Sequence, residues 1–547
     1  MKSFAKYLMI GAAALLTVSC EDFLETAPYD ALSPATTWKT EQDAQKFAIG
    51  CYDGWEDGGT LLYLDCMSDY GFNNFPWEGF RDQANGNMET SNTGANFYGY
   101  TIIRRCNSFL ENVVNVPFAN EADKKDLIAQ VRTIRAYRYF VMNWMYGGVP
   151  IIDNYQTAEE AQVPRNTEKE VRNFIADELD AAIPDLKEAP SERGRIAKGA
   201  AMALRMREAL YYGDWAVAKA QAQAIIDLGQ YSLESNYLKL FQVAGQDSKE
   251  IILAVQYIPQ TYTLYTIGQM YNNGDGGWSS IVPTHNLVDD YEMENGLTID
   301  EPNSGYDEEH PFKDRDPRLA MSIIYPGANY VKGDGSEGIF NTLDKQIDGT
   351  DNPNYMTMAN NSSKTGLTWN KYLSPITQYD NMWGSNACPI VFRYAEVLLT
   401  WAEAENELAG PSAGVYAKLD QIRERAGMPK VDQAKYNTRE TLRKLIQRER
   451  GVELAGEGVR RADILRWDIA KDVLNGKLVR RMGTVKMDAS MDPEMRATID
   501  VNAADADVLI ENRVFKPHHR YLPLGLGLYD KNPKLVQNPG YTPFASK

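Results

Sequence analysis

The segment Pro389–Trp467 begins with PIVFRYAEVLLTWAEAENELAG, continues with VYAKLDQIRERAGMP and ends with IQRERGVELAGEGVRRADILRW. Its apolar residues recur at the three- and four-residue spacing of an amphipathic helix, and they are Val391, Ala395, Leu398, Ala402, Val415, Leu419, Ile422, Leu445, Val452 and Leu454. Charged residues of both signs lie between them. The pattern predicts paired helices, Val391–Leu408 and Val415–Ala426 first among them.

Similar helical patterns occur upstream, and they predict helices over 40–55, 100–113, 120–146, 167–184, 196–212 and 214–228. The last two form a hairpin across Gly213. Alanines at Ala200, Ala203, Ala218 and Ala222 would let its helices approach closely. Small residues in paired helices indicate a tetratricopeptide-like scaffold, although the strict repeat signature is absent.

Long segments without helical periodicity interrupt this scaffold. The first is the early loop around residues 58–100, and the second is an insertion over about 231–388, in which residues 250–257 (EIILAVQY) read as a strand. We therefore expect one mainly α domain over 20–547, with helical scaffold at about 36–230 and 389–475. An irregular C-terminal segment, 476–547, follows it.

The first nineteen residues read as a secretory signal. Lys2 and Lys6 precede an apolar run that is too short to span a membrane. The sequence LTVSC, Leu16 to Cys20, resembles a bacterial lipobox, in which the Cys20 thiol is acylated and becomes the mature N-terminus. An ordinary signal peptide with a chance cysteine is the alternative.

Charge and cysteine content limit the possible partners. The formal net charge is −18, which argues against nucleic acid and anionic membrane surfaces because both need a basic face. Cys51, Cys66, Cys106 and Cys388 allow three disulfide pairings. The helical stripes that hold Cys51 and Cys106 favour small buried thiols instead. No spacing of His and Cys supports a zinc site.

Aromatic residues concentrate in the irregular segments, where they suit the binding of sugars. Sugar rings lie with their C–H groups against aromatic faces, while their hydroxyls need amides or charged groups beside them. The residues we select for stacking are Tyr70, Phe75, Trp77, Trp278 and Trp383, and those for hydroxyls are Asn73, Asn74 and Arg81. The alternative for each tryptophan is packing beneath its own loop.

Catalysis has weaker support in the sequence. Glu449, Glu453 and Glu457 share one helical face, and two such carboxylates could serve a glycosidase. The interpretation that we favour is a structural network with nearby arginines, which are Arg448, Arg450, Arg460, Arg461 and Arg466. The Gly-rich run 272–277 resembles a fragment of a calcium loop but lacks the spaced carboxylates and the closing Glu, so a mobile loop is favoured over calcium binding. No other cofactor is expected.

Several segments, in this order, resemble the SusD/RagB family of outer-membrane lipoproteins from Bacteroidetes. They are the lipobox with EDFLETAP, the turn YGGVP at 146–150, the helix pair at 194–226, SKEIILAVQY, the segment Pro389–Trp467, and LVQNPGY at 535–541. The resemblance implies a tetratricopeptide-like scaffold whose early loop and insertion contact the ligand. Glu21 and Asp22 are similar to the surface-export signal of such lipoproteins.

The resemblance also implies a function. Family members bind oligosaccharides, or peptides in some cases, at the cell surface, and they cover a TonB-dependent (SusC-like) transporter without catalysing a reaction. We therefore expect a lipid-anchored, surface-exposed protein of the outer membrane that binds a glycan before import. A peptide-binding member of the same family is the alternative, and a glycoside hydrolase is a third, weaker one.

Overall fold

The computed structural model describes residues 38–356, 361–379, 381–483 and 485–545, so the predicted signal segment and Cys20 lie outside the described residues. Its α-helices in chain order are α1 Glu41–Tyr52, α2 Gly58–Tyr63, α3 Phe80–Asn85, α4 Thr101–Asn112, α5 Glu121–Tyr146, α6 Glu168–Ala182, α7 Lys198–Tyr211, α8 Trp215–Asp227, α9 Tyr237–Leu240, α10 Thr266–Met270, α11 His285–Asp290, α12 Arg318–Ser322, α13 Tyr394–Ala409, α14 Ala413–Ala426, α15 Arg439–Glu453, α16 Arg460–Arg466, α17 Ala470–Val473 and α18 Leu526–Lys531.

The strands are short and pair in twos. They are β1 Gly71–Asn73, β2 Ile251–Ala254, β3 Ile281–Pro283, β4 Ile323–Ile324, β5 Asn329–Val331, β6 Glu337–Ile339, β7 Gln346–Ile347, β8 Thr350–Asp351, β9 Thr368–Trp369, β10 Ile390–Arg393, β11 Gly476–Arg480, β12 Val485–Met487, β13 Ala497–Ile499 and β14 Val508–Arg513. Each described pair is antiparallel, and four join distant segments: β1 with β3, β2 with β10, β4 with β9, and β11 with β14. The strands therefore connect irregular segments and form no extended sheet among the described residues.

The predicted scaffold helices form where the local signals place them. Thr40 and Thr167 each close a capping box, in which the threonine hydroxyl accepts the backbone N–H three residues on and the acid at that position accepts in return. Asn120 caps the 26-residue helix α5, and Gly147 ends it in the left-handed conformation with φ of 69°. These caps begin or end helices α1, α5 and α6 close to the predicted bounds, so the predicted helices in this part of the chain are confirmed.

The two scaffold segments pack into one helical body. Helices α7 and α8 form the predicted hairpin, and α8 also packs on α13, which packs in turn on α14 and α15. Ala203, Ala218 and Ala222 are fully buried, so small side chains do allow the close approach. The expectation of a mainly α, tetratricopeptide-like scaffold with irregular insertions is confirmed.

One boundary was predicted wrongly. We expected a helix from Val391, but Ile390–Arg393 is strand β10, paired with β2, and the helix begins at Tyr394. The apolar run here suits a buried strand as well as a helix, and periodicity alone does not separate the two. Hydrogen bonding to β2 makes this segment a strand. The strand predicted at 250–257 does form, as β2.

Buried ion pairs hold the insertion against the scaffold. Glu453 is fully buried and accepts from Arg318 at 2.9 Å, from Arg393 at 2.8 Å and also from Arg425. Glu449 pairs with Arg318 and Arg423, and Glu457 with Arg393 and Lys371. The predicted network exists, and these three glutamates take their partners from the insertion (Arg318 and Lys371) and from earlier parts of the same segment (Arg393, Arg423 and Arg425).

The arginines that we had assigned to those glutamates have other partners. Arg448 pairs with Glu292, Arg460 with Asp69, and Arg450 and Arg466 both pair with Asp463 and Glu403. Arg461 donates to the backbone carbonyls of Met67 and His519. The expected pairing of these arginines with Glu449, Glu453 and Glu457 was therefore wrong, although Arg450 and Arg466 do pair with acids of the same segment.

The four cysteines of the described residues are buried free thiols. Burial raises the pKa of the Cys66 and Cys106 thiols well above the ordinary value. The prediction of small buried thiols at Cys51 and Cys106 is confirmed. No helix of the described residues is both long and apolar enough to cross a membrane.

We predict that Glu453→Gln destabilises the protein by about 3–5 kcal/mol, because it leaves buried guanidinium groups without a carboxylate. The check is the urea midpoint of unfolding at pH 7, followed by circular dichroism. Glu424→Gln is the control, since it removes an exposed ion pair with Lys430 that water already screens. Equal midpoints for the two variants would contradict the prediction.

The same site should make stability fall in acid. Burial opposes ionisation of Glu453, but the charges of Arg425, Arg393 and Arg318 outweigh it and hold its pKa well below the ordinary 4.5. A lowered pKa contributes stability above that ordinary value, and the contribution is lost as the pH falls through the pKa of the folded protein. The urea midpoint of Glu453→Gln should therefore depend less on pH below about 4.5 than that of the wild type.

Candidate functional site

The early loop and the insertion meet through a short antiparallel pair. In it, Asn73 of β1 lies opposite Ile281 of β3. Next to the pair, the Asn74 backbone N–H donates to the Ser280 carbonyl at 2.9 Å. The two irregular segments, more than 200 residues apart in sequence, therefore lie side by side, and their aromatic residues are brought to the same region.

The early platform consists of Phe75 and Trp77. Pro76 opens a short 3-10 turn, Pro76–Glu78, which Gly79 ends in the left-handed conformation. The two rings lie 4.8 Å apart at an interplanar angle of 26°. Trp77 is 79% exposed, although its indole carries one of the largest apolar faces that a side chain can offer. A stacked pair with an open tryptophan face is suited to contact with a flat apolar ligand surface.

The insertion platform consists of Tyr265, Trp278 and Trp383. The indoles of Trp278 and Trp383 lie 4.8 Å apart, and the Tyr265 ring lies 4.8 Å from Trp383 and 5.8 Å from Trp278. Tyr265 is 46% exposed and Trp278 37%. Trp278 and Trp383 lie more than 100 residues apart in the insertion, yet each packs against the other and not solely beneath its own loop.

Sequence reasoning missed Tyr265. It lies in the run YTLYTIGQMY, where three tyrosines look alike. Tyr271 is buried, whereas Tyr262 and Tyr265 are both 46% exposed. Only Tyr265 contacts Trp278 and Trp383, while Tyr262 stacks on Tyr257, so the distinction lies in tertiary contacts and in no local signal.

Gly268 lets the insertion platform form. A Cβ atom at this position would lie 2.3 Å from Cε3 of Trp383, which is closer than real Cβ contacts come. The Trp383 indole therefore lies directly against the backbone of α10. The Leu264 N–H donates to the Ser385 carbonyl at 2.7 Å and fixes the same two segments from the other side.

Glu78 links the two platforms. Its carboxylate accepts from the Asn73 amide on the early loop and, at 3.0 Å, from Gln269 Nε2 on α10. Burial raises the pKa of Glu78, and the donated hydrogen bonds act against that rise. Since Gln269 follows Gly268, this carboxylate sets the spacing between the turn that bears Trp77 and the helix beneath Trp383.

Tyr70, Asn73 and Asn74 are buried and lie behind the platforms. The Arg460 guanidinium lies 3.8 Å from the centre of the Tyr70 ring, and the Tyr70 hydroxyl donates to Asp290. The amides of Asn73 and Asn74 donate to the backbone carbonyls of Ser280 and Ser279. We therefore do not retain the expectation that these three side chains contact a ligand, because they are buried and their donor groups are engaged within the protein.

Arg81 is also occupied by the protein. It pairs with Glu511 at 2.7 Å, its guanidinium lies 4.9 Å from the Phe72 ring, and only 18% of its side chain is exposed. The early loop alternates aromatic and polar residues. Its polar residues Asn73, Asn74 and Arg81 bind the loop to the insertion and to the C-terminal segment. The residues of the prediction that stay open to a ligand are Phe75, Trp77, Trp278 and Trp383.

The carboxylates that we considered for catalysis are placed unfavourably for it. Glu449 and Glu453 are 2% and 0% exposed, and each is paired with arginines. Burial opposes their ionisation, but the arginine charges outweigh it and lower the pKa of both. A glycosidase acid needs a raised pKa and access to the glycosidic oxygen, and neither glutamate has them.

The described residues contain no group of three or more His, Cys, Asp or Glu side chains arranged to hold a metal ion. In the Gly-rich run considered for calcium, the Asp275 carboxylate instead accepts from the Gly333 N–H at 2.7 Å and from the Asn272 amide at 2.6 Å.

We predict that Gly268→Ala displaces the Trp383 indole and weakens the near-ultraviolet circular dichroism of the Trp278–Trp383 pair. The physical reason is the 2.3 Å approach between the added methyl and Trp383. Gly527→Ala is the matched control, because a Cβ there meets no atom within 4 Å. A spectrum for Gly268→Ala that overlays the wild type would contradict this packing.

Two family models match the chain. One, described as the SusD family, matches residues 249–541, and the other, described as "starch-binding associating with outer membrane", matches residues 22–210. Among relatives, SusD-like protein P25 of Formosa agariphila is 26% identical over 490 residues, which are 83% of this chain and 88% of that protein.

Solved structures show the same fold. A SusD-like carbohydrate-binding protein of Bacteroides fragilis superimposes with a TM-score of 0.80 at 26% identity, over 91% of this chain and 99% of that one. A laminarin-binding SusD-like protein superimposes with a TM-score of 0.63 at 22% identity, over 92% and 100% of the two chains. The fold and a family match over more than half of its length identify this chain as a member of the SusD family.

Proposed function

We propose that this protein binds an oligosaccharide or polysaccharide through the early and insertion platforms, at the cell surface, and delivers it to a TonB-dependent outer-membrane transporter. The observation that carries the proposal is the pair of exposed aromatic platforms held side by side by β1 and β3. Exposed aromatic faces of this size cost free energy in water unless a ligand covers them.

The chemistry of the platforms favours a sugar chain. Phe75, Trp77, Tyr265, Trp278 and Trp383 offer flat faces for sugar C–H groups, and successive units of a chain could use successive platforms. The names of two structural neighbours, one carbohydrate-binding and one laminarin-binding, point the same way. None of the relatives reported above is named for peptide binding, so we do not propose the peptide alternative.

Two further parts of the proposal rest on sequence. The lipobox supports acylation of Cys20, and the description of one matching family model includes association with the outer membrane. A lipid on the first mature residue would hold the chain at a membrane without a spanning helix. Transfer to a transporter is inferred from family membership.

We predict that Trp77→Ala and Trp278→Ala each lower glycan affinity about tenfold, the effect of losing roughly 1.4 kcal/mol of stacking. The measurement is affinity electrophoresis on a panel that contains laminarin and soluble starch, followed by calorimetry on the polysaccharides that retard the wild type. Val114→Ala is the control, since Val114 is 58% exposed on the scaffold.

If no polysaccharide of the panel retards the migration of the wild-type protein, glycan binding is refuted. Cells that lack the chain and receive the Trp77→Ala/Trp278→Ala variant should also grow more slowly on the bound glycan than cells that receive the wild type. Equal growth with lost binding would separate binding from uptake and refute the delivery step.

We further predict that the protein releases no reducing ends from a polysaccharide that it binds, because Glu449 and Glu453 are paired and buried. The measurement is a reducing-sugar assay over a day with the purified chain. If the wild type releases reducing ends and the folded Glu449→Gln variant does not, the protein is instead a hydrolase.

A further inference from the structure

A second concave site lies apart from the two platforms. A cavity of about 780 Å³ opens between the start of α4, the segment 150–162 and the C-terminal segment 528–535. Its lining residues are all among the described residues, and none of them belongs to either platform. Cavities that bind small molecules commonly measure about 300–1,000 Å³, so this one has room for a ligand.

Two tyrosines form the floor of the cavity. The rings of Tyr98 and Tyr100 lie 5.6 Å apart and are tilted by 56°. Tyr146 supports Tyr98 from behind at 5.3 Å, Tyr139 supports Tyr100 at 6.3 Å, and the Tyr100 hydroxyl donates to the Pro150 carbonyl at 2.6 Å. The floor is therefore aromatic, half-buried and fixed before any ligand arrives, which lowers the entropic cost of binding.

Amide side chains line the walls. Asn107 is fully buried and donates to the carbonyls of Ile152 and Asn154 at 2.9 and 2.8 Å, which fixes the segment that forms one wall. Gln156 donates to Asn154 Oδ1 at 2.8 Å, while its own buried Oε1 accepts no hydrogen bond from the described residues. An orphaned acceptor of this kind is costly unless a donor such as a hydroxyl reaches it.

The charge of the cavity is nearly balanced. Its charged lining residues are Arg104, Asp530 and Lys531. Arg104 is already engaged, since its guanidinium lies 4.7 Å from the Tyr155 ring and donates to the Tyr155 hydroxyl at 2.5 Å. A site with aromatic faces, several amides and little net charge suits a neutral ligand that carries many hydroxyls.

We propose that this cavity is a second binding site for a neutral oligosaccharide segment, separate from the two platforms. The proposal rests on the proposed function only in taking the same class of ligand. Two sites on one chain would bind a long polysaccharide more tightly than either site binds a short piece, because the second contact becomes intramolecular. Short oligosaccharides would occupy the sites independently.

Calorimetry tests the proposal on the wild type and on three variants, with laminarin, soluble starch and the short oligosaccharides prepared from each. Ala161→Trp adds a bulky side chain at the cavity wall, and Tyr98→Ala removes one face of the floor. Ala504→Trp adds the same side chain at an exposed position outside the cavity.

Short oligosaccharides should bind the wild type at two sites and each cavity variant at one, while polysaccharide affinity falls about tenfold or more. Ala504→Trp should behave as the wild type. In the Trp77→Ala/Trp278→Ala variant, one site should remain, and Ala161→Trp added to it should remove that site.

The outcomes separate the two proposals. If Ala161→Trp and Tyr98→Ala both bind as the wild type does while the platform variant loses all binding, the second site is refuted and the proposed function stands. If no glycan binds the wild type, both are refuted. Binding of an unstructured peptide, such as a casein digest, that Ala161→Trp abolishes would overturn the carbohydrate assignment of the cavity.

Discussion

The fold depends on one buried carboxylate surrounded by arginines. Glu453 of α15 accepts from Arg318 of the insertion, from Arg393 of β10 and from Arg425 of α14. A buried charge is stable only when its partners are in place, so the insertion, the strand pair and the helical scaffold must all be folded before this carboxylate is satisfied. The interaction thus couples the part of the chain that bears the insertion platform to the part that supports it.

The scaffold matters to the site because it fixes segments that have little structure of their own. Strands β1 and β3 have three residues each, too few for independent stability. They persist because buried groups on both sides hold them: Tyr70 beneath Arg460, and Glu78 between Asn73 and Gln269. Exposed aromatic faces on a rigid support lose little entropy on binding a ligand, which is the physical advantage of such a design over mobile loops.

Much of the fold follows from local signals, while much of the site does not. Capping threonines, the glycine after α5 and the helical spacing of apolar residues predicted the scaffold well, because each acts within a few residues. At the site, Trp77, Phe75, Trp278 and Trp383 are open, as expected of binding residues, but Tyr70, Asn73, Asn74 and Arg81 are held by partners 205 to 430 residues away. Sequence does not reveal such partners, so residues of the right type cannot be divided into those that face solvent and those that support the loop.

The sequence by itself determined the helical class, the places where most scaffold helices begin and end, the location of the irregular segments and the family. It did so because secondary-structure preference, hydrophobic spacing and the short segments that resemble the family are all local properties of the chain. Only the tertiary structure decided that Ile390–Arg393 is a strand, which arginines neutralise Glu449, Glu453 and Glu457, that Tyr265 joins Trp278 and Trp383, and that a tyrosine-floored cavity opens beside α4. Those features arise where segments distant in sequence meet, and their energies come from contacts that no single segment contains.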